Sequence, residues 1–200
     1  MLTPASIRTC LPPLAHLATL PPAMPDSPID LKALIRDVPD FPQPGVLFRD
    51  ITPLLHNTAA FAHIIDELTE RITAHAPAVI VGIESRGFLF GAPVAYKLGL
   101  PFVPVRKAGK LPSQRMSVEF SLEYGESQLD IHTDALERDQ RVVIVDDLLA
   151  TGGTADAACK LVELLGGYVS ALAFVVELSF LNGRERLQGR DIISLVNYDA

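Results

Sequence analysis

Asp146 and Asp147 stand side by side directly after four β-branched apolar residues, Val142, Val143, Ile144 and Val145. Ala150, Thr151, Gly152, Gly153 and Thr154 follow, and then Ala155, Ala158, Leu161, Val162 and Leu165 form an apolar face at helical spacing. Small residues let the backbone turn sharply and let an anion approach its N–H groups, and a helix start adds unpaired donors and the positive end of a dipole. Such a turn accepts a phosphate, with the Thr151 and Thr154 hydroxyls as further donors. Carboxylates beside a phosphate would repel it unless they serve sugar hydroxyls or a divalent cation. Taken alone, Thr151-Gly152-Gly153-Thr154 reads equally well as an ordinary strand-to-helix turn, and the paired acids tip the balance. A nucleotide P-loop is excluded, because no Lys follows Gly153 and the GxxxxG spacing over 82–87 runs into Phe88-Leu89.

Two further stretches could hold an anion. Glu84-Ser85-Arg86-Gly87 separates a second apolar strand, 78–83, from a helix expected over 88–98. Arg106, Lys107, Lys110 and Arg115 place four cations in ten positions with no acid before Glu119. This stretch reads either as a solvated loop or as a clamp for a multiply charged anion. Gly109 and the lack of an apolar face predict that it is mobile while the site is empty.

The elements that must position these groups alternate. Strands are expected at 78–83, 102–105, 141–145, 168–176 and 192–196, with helices between them, and a hairpin over 118–132 turns near Gly125. The fold class predicted is α/β, a mostly parallel central sheet of about five strands flanked by helices, with ligands at the carboxyl ends of its strands. Upstream, a helix is expected from Ser27 and Pro28 to before Pro42, then a rigid irregular segment over 40–53, together forming a small cap. A helix follows over 58–75, whose His63 and His75 read as surface residues, since nothing at metal spacing accompanies them.

Composition bounds the rest. At 200 residues, 48% hydrophobic and 20% charged, the chain suits one globular domain, expected over 28–200. A net charge of −7 argues against nucleic acid as the main partner. No apolar run is long enough for a membrane span. Cys10 and Cys159 are isolated, which suits a reducing compartment, and a cytoplasmic location is expected. Residues 1–27 differ in kind: seven of the sixteen prolines fall within 1–28, so this stretch is expected to be a loosely ordered extension, with Met24 as an alternative start. A single arginine, Arg8, makes it a poor targeting peptide.

From about residue 40 to 187, five separated segments resemble, in order, those of the adenine-using branch of the type I phosphoribosyltransferase family: DFPQPGVLFRDITPLL, GIESRGFLFGAP, RKAGKLP, SLEYG and VIVDDLLATGGTA. The departures are the proline-rich extension and Glu84, where some members carry Asp. The resemblance implies a Mg²⁺-dependent homodimer that makes AMP and diphosphate from adenine and phosphoribosyl pyrophosphate. It assigns Ala150, Thr151, Gly152, Gly153 and Thr154 to the 5′-phosphate, and Asp146 and Asp147 to the ribose hydroxyls. Glu84, Ser85, Arg86, Arg106, Lys107 and Lys110 fall to the pyrophosphate. The backbone of Leu47 and Arg49 falls to the adenine edge, with Phe48 and Leu149 near its faces. Glu123 is implied as general acid/base, with Arg86 beside the reacting groups. Magnesium would be held through the diphosphate and ribose hydroxyls. Two alternatives share the central motif: a transferase for another base, and a non-enzymatic sensor of phosphoribosyl pyrophosphate.

Overall fold

The computed structural model of the chain describes residues 29–121 and 126–199. A seven-stranded sheet has the order β5-β6-β4-β3-β7-β8-β9. Five of its strands are parallel: β3 (Val79–Ile83), β4 (Phe102–Lys107), β7 (Arg141–Leu149), β8 (Tyr168–Leu178) and β9 (Ile192–Tyr198). The other two, β5 (Arg115–Ser121) and β6 (Glu126–His132), form the expected hairpin, and it joins the sheet by antiparallel pairing of Arg106 with Asp130 and Lys107 with Leu129. The five-strand expectation thus describes the parallel core, and the hairpin closes one of its edges. No helix among the described residues is long and apolar enough to cross a membrane.

Both faces of the sheet are covered, which is why its central strands read as unbroken apolar runs. Successive side chains point to opposite faces. Val143 and Val145 join the cluster beneath α2 (Thr58–Thr73) and α3 (Gly87–Leu98), while Val142 and Ile144 join the one beneath α4 (Gly153–Leu164). Each such side chain, fully buried, contributes roughly 1.5–3 kcal/mol.

Upstream of α2 the sequence reading needs correction. Instead of a helix reaching toward Pro42, Lys32–Leu34 makes one 3-10 turn and the chain turns extended at Ile35. That turn already buries Leu31 and Ile35, one helical turn apart. Pairing then wins over helix, since β1 (Arg36–Pro39) runs antiparallel to β2 (Leu47–Asp50). The segment expected to be irregular therefore contains β2 and a short helix, α1 (Thr52–His56). Asp50 organises the junction: its carboxylate accepts from Thr52 N at 2.9 Å and from Arg36 Nη2 at 2.6 Å. These hydrogen bonds, that of Thr52 N foremost, hold its pKa below the ordinary range.

Candidate active site

Strand order reverses between β3 and β7, with β4 and the hairpin on one side and β8 and β9 on the other. In open α/β sheets such a switch point opens a crevice at the carboxyl ends of the strands. Here it is a cleft of about 540 Å³ lined by residues 46–49, 84–86, Lys107 and the continuous run 146–155. Segments read separately from the sequence therefore meet in one place.

The strand expected over 141–145 does not stop before the paired acids; β7 runs through them, pairing Asp146 with Phe174 and Leu148 with Val176 of β8. Asp147 is only 3% exposed and Asp146 is half-buried. Asp147 N donates to Asp146 Oδ1 at 2.9 Å. Arg86 Nε lies 3.0 Å from Asp147 Oδ2, near enough for an ion pair. It is not aligned to donate, and that buried oxygen accepts no hydrogen bond among the described residues. Burial first, and then the charge of Asp147, push the Asp146 carboxyl well above its ordinary range. Burial raises Asp147 too, against the pull of Arg86.

Beyond Leu149 the chain turns through Ala150 and Thr151 into Gly152, whose φ of +80° lies in the left-handed region open to glycine. α4 begins at Gly153 with no side chain capping it, which leaves its first N–H groups to a ligand. Under this loop lies a second turn, α5 (Gly183–Arg186). A Cβ on Gly152 would fall 2.6 Å from Gly183 O, and one on Gly183 would penetrate the Ala150 carbonyl oxygen. Arg184 fastens this floor to the sheet, donating from Nε and Nη2 to Glu177 Oε1 and Oε2 at 2.6 and 2.7 Å. Glu177 is 4% exposed and lies in register with Leu149. The Arg184 hydrogen bonds hold its carboxyl below the ordinary range. Sequence reasoning missed Glu177, Gly183 and Arg184. The signals were present: Glu177 is an acid closing an apolar strand, as Glu84 and Asp146 are, and Asn182-Gly183 is a turn pair.

The basic stretch divides. Of its four cations only Lys107 lines the cleft. Arg106 donates from Nε and Nη2 to Glu84, both at 3.2 Å, and from Nη1 to Lys110 O at 3.1 Å. Lys107 N donates to Glu84 Oε2 at 3.0 Å. With the Arg106 side chain contributing most, these bonds hold the Glu84 carboxyl below its ordinary range. Arg115 belongs to β5 and pairs at 3.2 Å with Asp130, which is fully buried and also accepts from Gly109 N at 3.1 Å. The expected lack of an apolar face does not hold either, because Leu111 is 7% exposed. Glu84 and Ser85 are joined by a cis peptide bond and, with Arg86, form the cleft wall at the end of β3.

Residues of β2 complete the lining. Leu47 is exposed, and the half-buried Phe48 ring meets Phe41 edge-on at 5.1 Å between centroids, with the Arg86 guanidinium 5.7 Å from the Phe48 ring. Arg49 pairs with Asp37 of β1. Leu149 lines the cleft while being 1% exposed overall. Glu123 lies outside the described residues.

A sheet with its crevice at this switch point, a small-residue anion turn and paired acids define a phosphoribosyltransferase domain, and the phosphoribosyl transferase domain family matches residues 53–179. An adenine phosphoribosyltransferase of Carboxydothermus hydrogenoformans is 58% identical over 170 residues, 85% of this chain and 100% of that protein. The crystal structure of adenine phosphoribosyltransferase from Thermoanaerobacter pseudethanolicus is 54% identical with a TM-score of 0.82, covering 84% of this chain and 98% of that one. The Saccharomyces cerevisiae enzyme, complexed with D-2,5-dideoxy-2,5-imino-altritol 1,6-bisphosphate and adenine, is 42% identical with a TM-score of 0.77, over 82% and 96% of the two chains. The chain belongs to the adenine phosphoribosyltransferase family.

Proposed function

We propose that this protein transfers the 5-phosphoribosyl group of phosphoribosyl pyrophosphate to N9 of adenine, giving AMP and diphosphate in purine salvage. The observation that carries the reading is the meeting, in one cleft, of the anion turn 150–154, the acids Asp146 and Asp147, and the strand residues 46–49. The yeast relative's complex with adenine and an imino-altritol bisphosphate supports the same pairing of ligands. Residues 28–200 are taken as one such domain, with 1–27 as an addition to it. Matches of 84–86% of the chain support that division.

The chemistry follows from charge. As the bond from C1 of the ribose to pyrophosphate lengthens, positive character builds on the sugar and negative charge on the leaving group, so stabilisation is mostly electrostatic. Ala150, Thr151, Gly152, Gly153 and Thr154 hold the 5′-phosphate through backbone donors and hydroxyls. Asp146 and Asp147 bind the ribose hydroxyls, and their negative charge suits the positive sugar. Ser85, Arg86 and Lys107 hold the pyrophosphate, with Glu84 orienting Arg106 and the Lys107 backbone, and Lys110 carried on the same loop. Glu123 accepts the proton that adenine loses at N9.

Magnesium belongs to this reading. Among the described residues no cluster of His, Cys, Asp and Glu is sufficient to hold a metal unaided. Magnesium suits a site of one or two carboxylates completed by substrate oxygens, and the buried, hydrogen-bond-free Asp147 Oδ2 fits that donor set. When bound with the diphosphate it neutralises charge on the leaving group. A homodimer is also proposed: Leu89 and Tyr96, on one side of α3, are both exposed and offer an apolar strip. A free, buried Cys159 suits a cytoplasmic location.

Base choice tests the reading. A backbone carbonyl of 46–49 accepts from the 6-amino group of adenine and an N–H donates to N1, whereas hypoxanthine reverses both. Sites built on such bonds reject the wrong partner by roughly 10⁴-fold. Diphosphate release measured with adenine, hypoxanthine and guanine should give a kcat/KM preference for adenine of about that size. A ratio near one would show that this segment does not read the purine.

A further inference from the structure

The strand that this reading gives to the base, β2, belongs to a sheet of only two strands. Two strands alone are marginal in water, so contacts from elsewhere must fix β2. One such contact runs from Arg49 to Tyr198, the last residue of β9, which is 6% exposed. The Arg49 guanidinium carbon lies 4.0 Å from the centroid of its ring, and Lys32 Nζ lies 4.4 Å from it. Lys32 Nζ also donates to Asn197 O at 3.0 Å.

Arg49 is the residue after Phe48, and its side chain is 9% exposed. A guanidinium so nearly buried must be matched by partners, and it has two: Asp37, its register neighbour on β1, and the Tyr198 ring. Asp37 belongs to the same two-stranded sheet as Arg49, whereas Tyr198 pairs with Leu178 in the seven-stranded sheet, and Leu178 itself lines the cleft. The ring therefore ties the base-reading strand to the same sheet that carries the anion turn.

We propose that Tyr198 is a positioning residue for purine selection: its ring face clamps Arg49 and so fixes the height of the 46–49 backbone over the cleft. The inference rests on the reading that 46–49 contacts the base. The phosphoribosyl half of the cleft hangs on β3, β7 and α5 instead, so the two substrates should respond differently.

The test is steady-state kinetics on the full chain with adenine, hypoxanthine and phosphoribosyl pyrophosphate. Tyr198→Leu should raise the KM for adenine about tenfold and lower the adenine-to-hypoxanthine preference similarly. Tenfold is about 1.4 kcal/mol, within the range of a desolvated cation over an aromatic ring. The KM for phosphoribosyl pyrophosphate should stay within about twofold, because the clamp is not part of that half. Tyr198→Phe keeps the ring face and should behave as the parent. If Tyr198→Leu does not fold, Arg49→Met removes the cation while leaving the ring, and should give the same split. Equal rises in both KM values, or a Tyr198→Phe variant as impaired as Tyr198→Leu, would overturn the clamp. Phe48→Ala separates this failure from that of the base site. A raised adenine KM there with an unchanged one in Tyr198→Leu sinks the clamp alone, whereas no change in either sinks the base site as well.

Discussion

At the end of β3, Glu84 is surrounded by donors: the Arg106 side chain and the Lys107 N–H both point at it, and its carboxyl is held below the ordinary range. On β7, Asp146 and Asp147 crowd each other with Arg86 as the ion-pair partner of Asp147, and both carboxyls are raised. The same sequence pattern, an acid closing an apolar strand before a helix, thus yields two different objects. The first is a counterion already neutralised by the protein, which sets the shape of the cleft wall. The second is a pair whose charge the protein leaves incompletely answered, so a ligand has something to gain by meeting it.

The largest expected effect tests the second object. Asp146→Asn combined with Asp147→Asn should lower turnover about a hundredfold or more, as the loss of a preorganised electrostatic partner does, and near-normal turnover would leave the pair without a catalytic purpose. Next in size is Gly183→Ala, whose new methyl group would collide with the Ala150 carbonyl. Overpacking of this kind costs about 1–3 kcal/mol, and the KM for phosphoribosyl pyrophosphate should rise several-fold while that for adenine stays put. An unchanged KM would show that α5 does not support the anion turn.

Glu84→Gln addresses the first object. Removing the partner of a half-exposed arginine should cost about 1 kcal/mol by denaturant titration at neutral pH. Because the folded Glu84 pKa is lowered, its contribution is present above the ordinary Glu value and is lost as pH falls through the folded value. The parent and the variant should converge in acid, and a difference independent of pH would break the contrast. An effect of similar size has the opposite sign. Raised carboxyls stabilise the folded state below the ordinary Asp value and lose that contribution as pH rises through their folded values. Asp146→Asn removes the penalty, so it should stabilise the protein by about 1 kcal/mol near neutral pH, and the gain should shrink toward pH 4. A destabilised variant at neutral pH would show that the pair is not strained in the folded state.

The parallel core was legible because its information is local. Runs such as 142–145, followed by acids and small residues, specify strand, turn and helix within a dozen positions. What failed to show was non-local. Nothing near Val38 announces that Phe48 will pair with it, so 36–39 read as the end of a helix. Two adjacent acids read as a strand end, yet β8 supplies partners that carry β7 through them to Leu149. Leu111 read as part of a stretch without an apolar face, although it is buried, and Arg115 looked available although Asp130 claims it. Within the site, the small-residue turn, the paired acids and Arg86 stood out from their own residue types and 47–49 only from the family resemblance, and all of them line the cleft. Glu177 and Gly183 were missed because their effect passes through the Ala150 and Gly152 backbone.

The hydrogen bond from Lys32 to Asn197 joins residues 165 positions apart, and it implies that the first and last described elements are spatial neighbours. A short flexible linker could then replace the distance between them, with the chain reopened elsewhere. Gly189 is a natural place to cut: it is exposed, in a connection between α5 and β9, and has open space around its missing side chain. A circular permutant beginning there, with the linker in place of residues 1–28, would make β9 the first strand and hand Tyr198 directly to the two-stranded sheet of β1 and β2.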